Sequence, residues 1–436
     1  MASGTSNVVG AVAAASGTFL AVNGPTSPTI QVQFDYQNAP TSPTTTWTDI
    51  TAYLVSYSRQ PVRGNEFDQP GPASATIVLR NDDDRFTPNN AAGPYYGSLL
   101  KYRRMRVRAQ WAGVIYNRYF GYVTDWPQSW AQSGKDKTVT LTLGDGMLPL
   151  ATADVSLVRS GGSGPGGTID PNNPIGTVLP AAQSGAAIQT ILTYANCPNP
   201  AVLDTGVSAI PASDPLSSPT YAAQRIKDIA ASENGFVYAA GDGTIIFHDR
   251  QHRLLSARSQ TSQATIGTNP GEIPYTDNVQ PDYGDAWTDI VVTPPTGSPG
   301  VASNPAAETQ FFQSVLTFPP SGTYLVTTAG EAQSAADYLA ARYSTPFTRI
   351  PNVELIGAAA TALWSTILSL DVADQVLFKR DSTISLPQFV EGYGDQVQVG
   401  KDWRVQLSLS PTQYESYWVL GDAVQGKLGQ TTAISY

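Results

Sequence analysis

The sequence is poor in the residues that form cross-links and most metal or catalytic centres. Its 436 residues include one cysteine, Cys197, and two histidines, His248 and His252. A single cysteine excludes an intramolecular disulfide, and we expect Cys197 to be a small buried side chain, as most free cysteines are. The Cys/His spacing of a zinc site is absent, because Cys197 lies about fifty residues before the histidines.

The two histidines are also the only available bases for a serine or cysteine nucleophile. No serine stands in a G-x-S-x-G elbow, so an acyl-transfer centre is disfavoured. We interpret both histidines as solvated or hydrogen-bonded side chains. The sequence therefore predicts no enzymatic activity, no cofactor, no metal site and no catalytic residue.

Charge is scarce and mostly of one sign. Charged residues make up 14% of the chain, and 35 acidic residues against 25 lysines and arginines give a net charge of −10. Such a chain repels phosphates, which disfavours a general nucleic-acid binder. No run of about 18 apolar residues is present, so we predict no membrane insertion. Residues 1–28 lack the basic start of a signal peptide, and we interpret them as an N-terminal arm.

The acidic residues suggest no catalytic pair. Glycan hydrolysis needs two carboxylates beside a cleft, one of them with a raised pKa, and no pair stands out among the 35. The densest cluster, Asp82–Asp84, has its carboxylates at consecutive positions and lacks the downstream glutamate of a calcium loop. Because Asn81, Pro88 and Asn90 surround it, we predict a turn rather than a Ca²⁺ site.

Glycine (38) and proline (33) are abundant, and apolar and polar residues alternate in many short runs. Alternation with a period of two predicts β-strands, and it is clearest between Ala73 and Trp126. The strands predicted before residue 152 are Thr29–Tyr36, Trp47–Ser58, Ala75–Leu79, Arg103–Trp111, Val114–Val123 and Lys137–Leu143. Six strands are enough for a barrel or a small sandwich.

The length predicts two to four domains. We divide the chain into a first β domain (29–152), a Gly/Pro-rich loop (153–183), an α+β domain (184–252), a mixed region (253–372) and a C-terminal β portion (373–436). The loop has no Lys-Ser/Thr after its glycines, so it is not read as a phosphate loop. The alternation in the C-terminal β portion predicts a second barrel.

The parts after residue 183 contain both element types. Apolar residues at helical spacing predict the helices Ala186–Ala195, Tyr221–Glu233 and Ala329–Tyr343, with a helical turn at Leu363–Leu370. The strands predicted in the same parts are Phe236–Ala240, Thr244–His248, Trp287–Thr293, Phe311–Phe318, Tyr324–Thr327, Asp374–Arg380, Gln396–Val399, Trp403–Ser410, Tyr417–Asp422 and Gln430–Tyr436.

The strongest local charge feature is a basic strand with Arg104, Arg106 and Arg108 on one face. One interpretation is a solvated face on which arginine stems cover apolar surface. The other is an edge between subunits, because guanidinium groups pair well with carboxylates and acids outnumber bases here. Contact with DNA is the least favoured. We name these three arginines as interface candidates.

The aromatic content, 8 Trp and 21 Tyr, would allow a sugar-stacking module. Trp111, Trp126 and Trp130 lie close together in the sequence. Trp111 and Trp126 fall at or beside strand positions, where aromatic residues stabilise sheets, so we favour a core or interface role for them.

Several motifs resemble those of the minor tail proteins of long-tailed actinobacterial phages. In particular they are similar to the tail-tip hub that is built on the baseplate-hub scaffold of contractile-tailed phages. The motifs are N-D-D-D-R-F-T-P at 81–88, P-Y-Y at 94–96, the basic strand, F-G-Y-V-T-D-W-P at 120–127, N-G-F-V-Y at 234–238, D-G-T-I-I-F-H-D-R at 242–250 and W-V-L-G-D-A at 418–423.

The resemblance implies a mainly β, multidomain fold with α+β inserts and two barrel-like domains in each subunit of a homotrimer. It implies a structural virion protein, the hub at the distal tip of the tail, which closes or lines the tail tube. Implied partners are the distal tail protein, the tape-measure protein and other tail-tip or receptor-binding proteins, while DNA passes through the lumen without specific binding. The expected location is the virion tail tip, with assembly in the host cytoplasm.

Two alternatives remain open. One is the distal tail protein, a hexameric ring with one barrel and an appended module, and two barrels in one chain favour the hub over it. The other is a carbohydrate-binding or cell-wall-hydrolysing tail protein.

Overall fold

The computed structural model describes residues 8–9, 18–69, 72–130, 137–157, 159–160, 168–169, 176–214, 216, 219–276, 279–320, 322–381 and 383–412. The predicted strands Tyr417–Asp422 and Gln430–Tyr436 lie outside these residues, as do much of the N-terminal arm and much of the Gly/Pro-rich loop.

Strands predominate in the described part of the chain. They are β1 (Val8–Val9), β2 (Leu20–Ala21), β3 (Thr29–Asp35), β4 (Thr48–Asp49), β5 (Leu54–Arg59), β6 (Ser74–Arg80), β7 (Arg104–Trp111), β8 (Val114–Asp125), β9 (Gln128–Ser129), β10 (Thr138–Asp145), β11 (Arg159–Ser160), β12 (Thr168–Ile169), β13 (Ala182–Gln183), β14 (Ala201–Leu203), β15 (Ala209–Ile210), β16 (Phe236–Ala239), β17 (Ile245–His248), β18 (Ser262–Ile266), β19 (Asp282–Tyr283), β20 (Asp289–Val292), β21 (Gly300–Ser303), β22 (Val315–Phe318), β23 (Thr348–Arg349), β24 (Asn352–Leu355), β25 (Gln375–Arg380), β26 (Ile384–Gln398) and β27 (Asp402–Pro411).

The helices are fewer and mostly short. They are α1 (Leu148–Thr152), α2 (Ser184–Tyr194), α3 (Ala222–Ser232), α4 (His252–Leu255), α5 (Ala257–Gln260), α6 (Pro305–Phe311), α7 (Ala329–Tyr343) and α8 (Trp364–Ser369), with 3-10 turns at Thr51–Tyr53, Gly357–Ala359 and Thr361–Leu363. Helix α7 covers the predicted range. In the described residues no helix is long and apolar enough to cross a membrane.

Most of the long strands belong to one sheet. Its strand order is β18-β25-β26-β5-β6-β10-β8-β7-β3-β2, with β27 and β24 attached through β26 and with β1, β4 and β9 at other positions. Alternate side chains point to the core in several of its strands, as in β6, where Ala75, Ile77 and Leu79 are buried. The alternation that predicts these strands therefore marks the inner face of the sheet.

The prediction of a mainly β fold with inserted helices is confirmed, but two separate barrels are not. In the described residues the strand order of the large sheet has two ends, and no sheet closes into a barrel. The strand β26 is 15 residues long, and its last residues, 395–398, pair with β5 while they also pair with β27. One continuous sheet thus joins the N-terminal and C-terminal strands. The domain boundaries stay predictions.

The apolar side chains form separate clusters. The first lies within the large sheet and includes Phe34, Leu141 and Trp403. The second packs α2, α3 and α7 against β16, β17, β20 and β22. A third, smaller cluster lies between the outer face of the β16–β17 hairpin and the loop before β25, with Phe236, Ile246, Val372 and Ala373 as members. The helical part of the chain therefore contacts the large sheet through its hairpin.

Small residues on α7 allow a strand to approach it closely. The stripe Ala332, Ala335, Ala336 and Ala340 is buried, as its spacing predicts. At Gly300, the first residue of β21, a Cβ atom would lie 2.2 Å from the carbonyl oxygen of Ala332. A larger residue at position 300 would push the strand away from the helix.

Residues 323–328 form no strand, so the predicted strand Tyr324–Thr327 is wrong. Their backbone is bound by side chains of α3 instead. Asp228 Oδ1 accepts from the Thr323 amide at 3.0 Å, and Ser232 Oγ accepts from the Leu325 amide at 2.8 Å. The apolar alternation here reflects burial against a helix rather than pairing in a sheet.

Candidate functional site

The predicted interface arginines lie on β7, inside the large sheet. β7 pairs with β3 on one side and with β8 on the other, so both of its backbone edges are occupied. A subunit contact through the edge of this strand is therefore wrong. A contact through the side chains of Arg104, Arg106 and Arg108 stays a prediction.

The register places each of these arginines opposite a polar residue of β3. The pairs, which we call the arginine face, are Arg104 with Asp35, Arg106 with Gln33 and Arg108 with Gln31. The opposite face of both strands is apolar and faces the core, with Ile30, Val32, Phe34, Met105 and Val107 buried. The strands are thus amphipathic, as the sequence predicts, but a row of amides and carboxylates already lies beside the arginines.

Arg104 is neutralised within the chain. Its guanidinium forms an ion pair with Asp35 at 2.8 Å, and both side chains are buried. It also donates to the carbonyl oxygen of Ser42 at 2.7 Å, in the loop that follows β3. Arg104 therefore has an internal structural role and is the least accessible of the three candidates.

Arg106 forms no ion pair with a carboxylate in the described part of the chain. Its Nε donates to Gln33 Oε1 at 2.8 Å, and its guanidinium carbon lies 4.3 Å from the centre of the Trp47 ring. Burial, with a smaller contribution from the positive charge of Arg108, lowers the pKa of Arg106 to about 9. Amide and ring contacts hold the side chain in place without neutralising it.

A different set of arginines is buried and binds carboxylates of β26, and we call these ion pairs the seam. Glu391 on β26 binds Arg63, which follows β5, at 2.7 Å, and Arg253 on α4 at 2.7 Å. Both guanidinium groups also lie over the Phe236 ring of the hairpin. Burial alone would raise the pKa of Glu391, but Arg253 and Arg63 outweigh it and lower that pKa.

A second ion pair of the seam joins β8 to β26. Arg118 forms two hydrogen bonds with Asp395, at 3.0 and 3.1 Å, and neither side chain has any exposed surface. The Trp403 indole donates to the same carboxylate at 3.0 Å. Burial would lower the pKa of Arg118, but Asp395 outweighs it and raises that pKa. Each arginine of the seam thus binds a carboxylate of the same chain.

Sequence reasoning missed the seam because its partners lie far apart in the chain. Arg63 and Glu391 are separated by 328 residues, and Arg118 and Asp395 by 277. One signal was available. Glu391 and Asp395 are four apart, which in a strand places both on one face of a segment otherwise made of apolar and glycine residues.

The acidic cluster Asp82–Asp84 forms a turn, as predicted. Asp83 pairs with Arg85 at 2.5 Å, and Asp84, with φ +56°, pairs with Lys137 at 2.7 Å. Asn81 Oδ1 accepts from the Phe86 amide at 2.9 Å, which closes the loop. Nearby basic groups therefore balance two of the three carboxylates.

The tryptophans divide between core and surface. Trp126 is buried, with its ring centre 5.2 Å from that of Phe34, and its indole donates to the Leu100 carbonyl at 3.2 Å. Trp111 packs against the same core, which confirms the core prediction for both. Trp130 is 67% exposed.

One buried carboxylate has a strongly raised pKa. Burial raises the pKa of Asp145, at the end of β10, to about 7, against the opposing hydrogen bond from the Met147 amide. A raised pKa is what a general acid requires. Asp145 is only 2% exposed, however, and its Oδ2 is buried without a hydrogen-bond partner in the described residues. It lies in the interior rather than on a cleft.

The two histidines lie next to each other beside Asp204, and we call these three residues the histidine cluster. β14 runs parallel to β17, with Leu203 opposite Phe247, so Asp204 lies beside His248. His252 begins α4 and stacks on His248 with ring centres 3.4 Å apart. Asp204 Oδ2 lies 2.8 Å from His252 Nδ1 and 3.4 Å from His248 Nδ1.

The environment of the histidine cluster sets its charges. Burial lowers the pKa of His248 to about 4, against the opposing hydrogen bond with Asp204. Burial alone would raise the pKa of Asp204, but the hydrogen bonds with His248 and His252 outweigh it and hold that pKa well below its usual range. A neutral imidazole thus faces a carboxylate. Potential ligand atoms of all three residues lie within 4.8 Å of one another.

The sequence did not predict this cluster. The hydrogen bond between His252 and Asp204 agrees with the interpretation of the histidines as solvated or hydrogen-bonded side chains. Asp204 lies more than forty residues earlier in the chain. It approaches the histidines because β14 pairs in parallel with β17, and the three-residue β14 is too short to be predicted from the sequence.

Comparison with known proteins shows which solved structures share the fold of this chain. No protein-family model matches the chain, and no curated protein matches it. Among solved structures, the tail protein from Neisseria meningitidis MC58 superimposes with a TM-score of 0.55 at 12% identity, covering 88% of this chain and 96% of that one. The 43 kDa tail protein of prophage MuSo2 from Shewanella oneidensis gives a TM-score of 0.52 at 10% identity, covering 88% and 98%. This chain shares the fold of these prophage and bacterial tail proteins over nearly their whole length.

Proposed function

We propose that this chain is a structural protein of a long-tailed phage of actinobacteria, the hub at the distal tip of the tail. The observation that carries the proposal is the fold shared with two tail proteins, which extends over 88% of this chain and nearly all of theirs. The sequence motifs that resemble tail-tip hubs of these phages support the same assignment. The hub would close or line the tail tube and attach other tip proteins.

The proposed assembly is a homotrimer, in which each subunit contributes barrel-like β units to a ring. Its proposed partners are the distal tail protein, the tape-measure protein and receptor-binding or other tip proteins. A net charge of −10 supports passage of DNA through the lumen without specific binding. The proposed location is the virion tail tip, with assembly in the host cytoplasm.

The arginine face supplies a candidate contact for this assembly. Arg106 and Arg108 are half-buried, and their side chains bind Gln33 and Gln31 rather than a carboxylate. A carboxylate from a neighbouring subunit would neutralise them, since guanidinium and carboxylate groups form strong paired hydrogen bonds. Arg104 is already paired and is left out of the proposed contact.

We also propose that the role is structural rather than catalytic. Glu391 and Asp395, both fully buried, are bound to arginines, and Asp145, whose pKa burial raises to about 7, lies in the interior. These groups have no access to a glycan. Incubation of the purified protein with host cell-wall polymer should therefore release no soluble sugar, and release above a buffer control would overturn this part.

Mass measurement of the purified assembly tests the hub against its alternatives. The chain has a mass of 46.3 kDa, so light scattering or native mass spectrometry distinguishes the oligomers clearly. A trimer is the expected result. A hexamer would assign the chain to the distal tail protein, and a monomer that binds wall polymer would assign it to the carbohydrate-binding alternative.

Charge reversal tests the proposed contact. The double variant Arg106→Glu/Arg108→Glu should convert the trimer to monomer while circular dichroism stays unchanged. Arg380→Glu, an exposed arginine at the end of β25, is the matched control and should leave the trimer intact. Trimers at normal yield in the double variant would reject the arginine face as the contact.

A further inference from the structure

The histidine cluster brings together ligands that divalent transition metals prefer. Two imidazoles and one carboxylate are a common donor set for zinc and its neighbours in the first transition row. These side chains belong to three different points of the chain, which are the end of β14, the end of β17 and the start of α4. We propose that Asp204, His248 and His252 form a binding site for one divalent transition-metal ion of the zinc class. The proposal does not depend on the tail-hub function.

The distances fit a single ion. With ligand bonds of about 2.0–2.1 Å and tetrahedral geometry, neighbouring donor atoms are roughly 3.3 Å apart. The two imidazole Nδ1 atoms lie 2.8 and 3.4 Å from the Asp204 carboxylate oxygen, and all three donors fall within 4.8 Å of one another. Small rotations of the two rings, which are stacked at an angle of 29°, would spread the donors around an ion.

One donor atom is held only loosely. His248 Nδ1 is buried and lies 3.4 Å from Asp204 Oδ2, a longer contact than the 2.8 Å of His252 Nδ1 with the same oxygen. The other ring nitrogen, Nε2, lies 3.4 Å from the hydroxyl of Tyr238 on the neighbouring strand. A proton on Nε2 directed at this oxygen leaves Nδ1 free to bind a metal. This is the outer-shell arrangement that metal-binding histidines usually show.

The surrounding charges are compatible with a cation. The nearest arginine on α4, Arg253, is paired with Glu391, and Arg250 lies 3.3 Å from Glu331. The backbone amide of Asp249 donates to Asp204 Oδ2 at 3.2 Å and fixes the carboxylate. The Asp249 carboxylate adds negative charge nearby. Three protein ligands on partly exposed residues leave room for a water molecule as the fourth.

The site would fix the position of α4. This helix carries both His252 and Arg253, and Arg253 binds the large sheet through Glu391. A metal bound by the histidine cluster would therefore tie α4 to β14 and β17 at the point where the helical part meets the seam. Metal binding should stabilise the folded chain, because the site exists only in the folded state.

The test is zinc binding by the full-length protein, purified without a polyhistidine tag and treated with chelator. Isothermal titration and elemental analysis after dialysis should give one zinc ion per chain, and zinc should raise the melting temperature by about 5 °C. Asp204→Asn and His252→Gln should each weaken zinc binding at least 10-fold and remove the thermal shift. Asp242→Asn, at the tip of the same hairpin, is the matched control and should bind as the wild type does.

Histidine labelling gives a readout that does not depend on the variants. Because the chain has two histidines, selective ¹³C labelling of histidine reports only His248 and His252. Both resonances should shift on addition of one equivalent of Zn²⁺. Unchanged resonances, absence of bound zinc, unaltered binding in Asp204→Asn, or loss of binding in Cys197→Ser would each overturn the proposal.

Discussion

Arginines occur in this protein in two contrasting settings. At the seam, Arg63, Arg118 and Arg253 are buried and each binds a carboxylate of β26. On the arginine face, Arg106 and Arg108 are held by glutamine amides. An arginine that is neutralised inside the chain has a structural role, because removal of its carboxylate partner would leave a buried and unpaired charge. A cation that is held but not neutralised remains available to an acidic group of another molecule.

The largest effect should follow from breaking the seam. Glu391→Gln keeps the volume of the side chain but leaves Arg63 and Arg253 without a carboxylate, and should lower the free energy of unfolding by about 3–5 kcal/mol. Chemical denaturation measures this change. The control is Glu354→Gln, whose partner Arg404 is half exposed, with an expected loss of about 0.5 kcal/mol. Similar losses in the two variants would contradict the contrast between buried and exposed pairs.

Asp145 is the acidic counterpart of Arg106, because it too is buried and forms no ion pair among the described residues. Its pKa in the folded chain is about 7, above the ordinary 3.8, so the folded state binds its proton more tightly than the unfolded state. The resulting stabilisation is complete below pH 4 and is lost as the pH rises to 7. At about 1.4 kcal/mol per pKa unit, the loss approaches about 4 kcal/mol.

Asp145→Asn removes this titration. The free energy of unfolding of the variant should therefore increase relative to that of the wild type as the pH rises from 4 to 7. Denaturation at several pH values measures the difference between the two proteins. The pKa of His248 is lowered to about 4, so this residue makes the fold more stable as the pH rises above that value. Its contribution is the same in both proteins and cancels in the difference between them. A difference that stays constant with pH would show that Asp145 is ionised throughout this range.

A glycine substitution tests how closely the seam is packed. A Cβ atom at Gly392 would lie 2.8 Å from the backbone nitrogen of Val62. Gly392→Ala should therefore push residues 62–63 away from β26 and lengthen the ion pair between Arg63 and Glu391. We expect a loss of about 2 kcal/mol in the free energy of unfolding. Gly330→Ala, with open space around it on α7, should be neutral or stabilising. Equal stability of the two variants would mean that the seam accommodates the extra atom.

The smallest effect on stability should come from the arginine face. Arg106→Gln/Arg108→Gln removes two half-buried charges, of which that of Arg108 is partly compensated by the Asp49 carboxylate, and it loses amide and cation–π contacts worth about as much. The free energy of unfolding of the dissociated chain should change by less than about 1 kcal/mol. Assembly should nevertheless weaken. A loss as large as that of Glu391→Gln would assign these arginines to the fold rather than to a contact.

Local patterns predicted the parts of the fold that depend on neighbouring residues. The alternation in β6, β7 and β8 and the alanine stripe of α7 arise from burial of one face, which the sequence displays directly. The strand β26 was predicted only at its end, Gln396–Val399, because Pro387 and the glycines at 392 and 394 interrupt its apolar alternation. These glycines are needed where residues 59–63 pass close to the strand.

The candidate sites depended on contacts that a sequence does not display. The sequence displays the basic strand, but its glutamine partners lie more than seventy residues away, and nothing in the sequence indicates that they bind the arginines. The approach of Asp204 to the histidines likewise follows from pairing between a three-residue strand and a distant hairpin. Charge in the sequence therefore indicated where contacts form, but the partners were set by the topology.

The pairing of β5 with the end of β26 has a consequence for synthesis on the ribosome. β5 is complete once residue 59 has been made, but its neighbour in the sheet is translated more than 330 residues later. Until then one edge of β5 stays open, and open strand edges pair readily with other chains. The nascent protein must protect this edge while those residues are made, because the sheet can close only after the end of β26 has been translated.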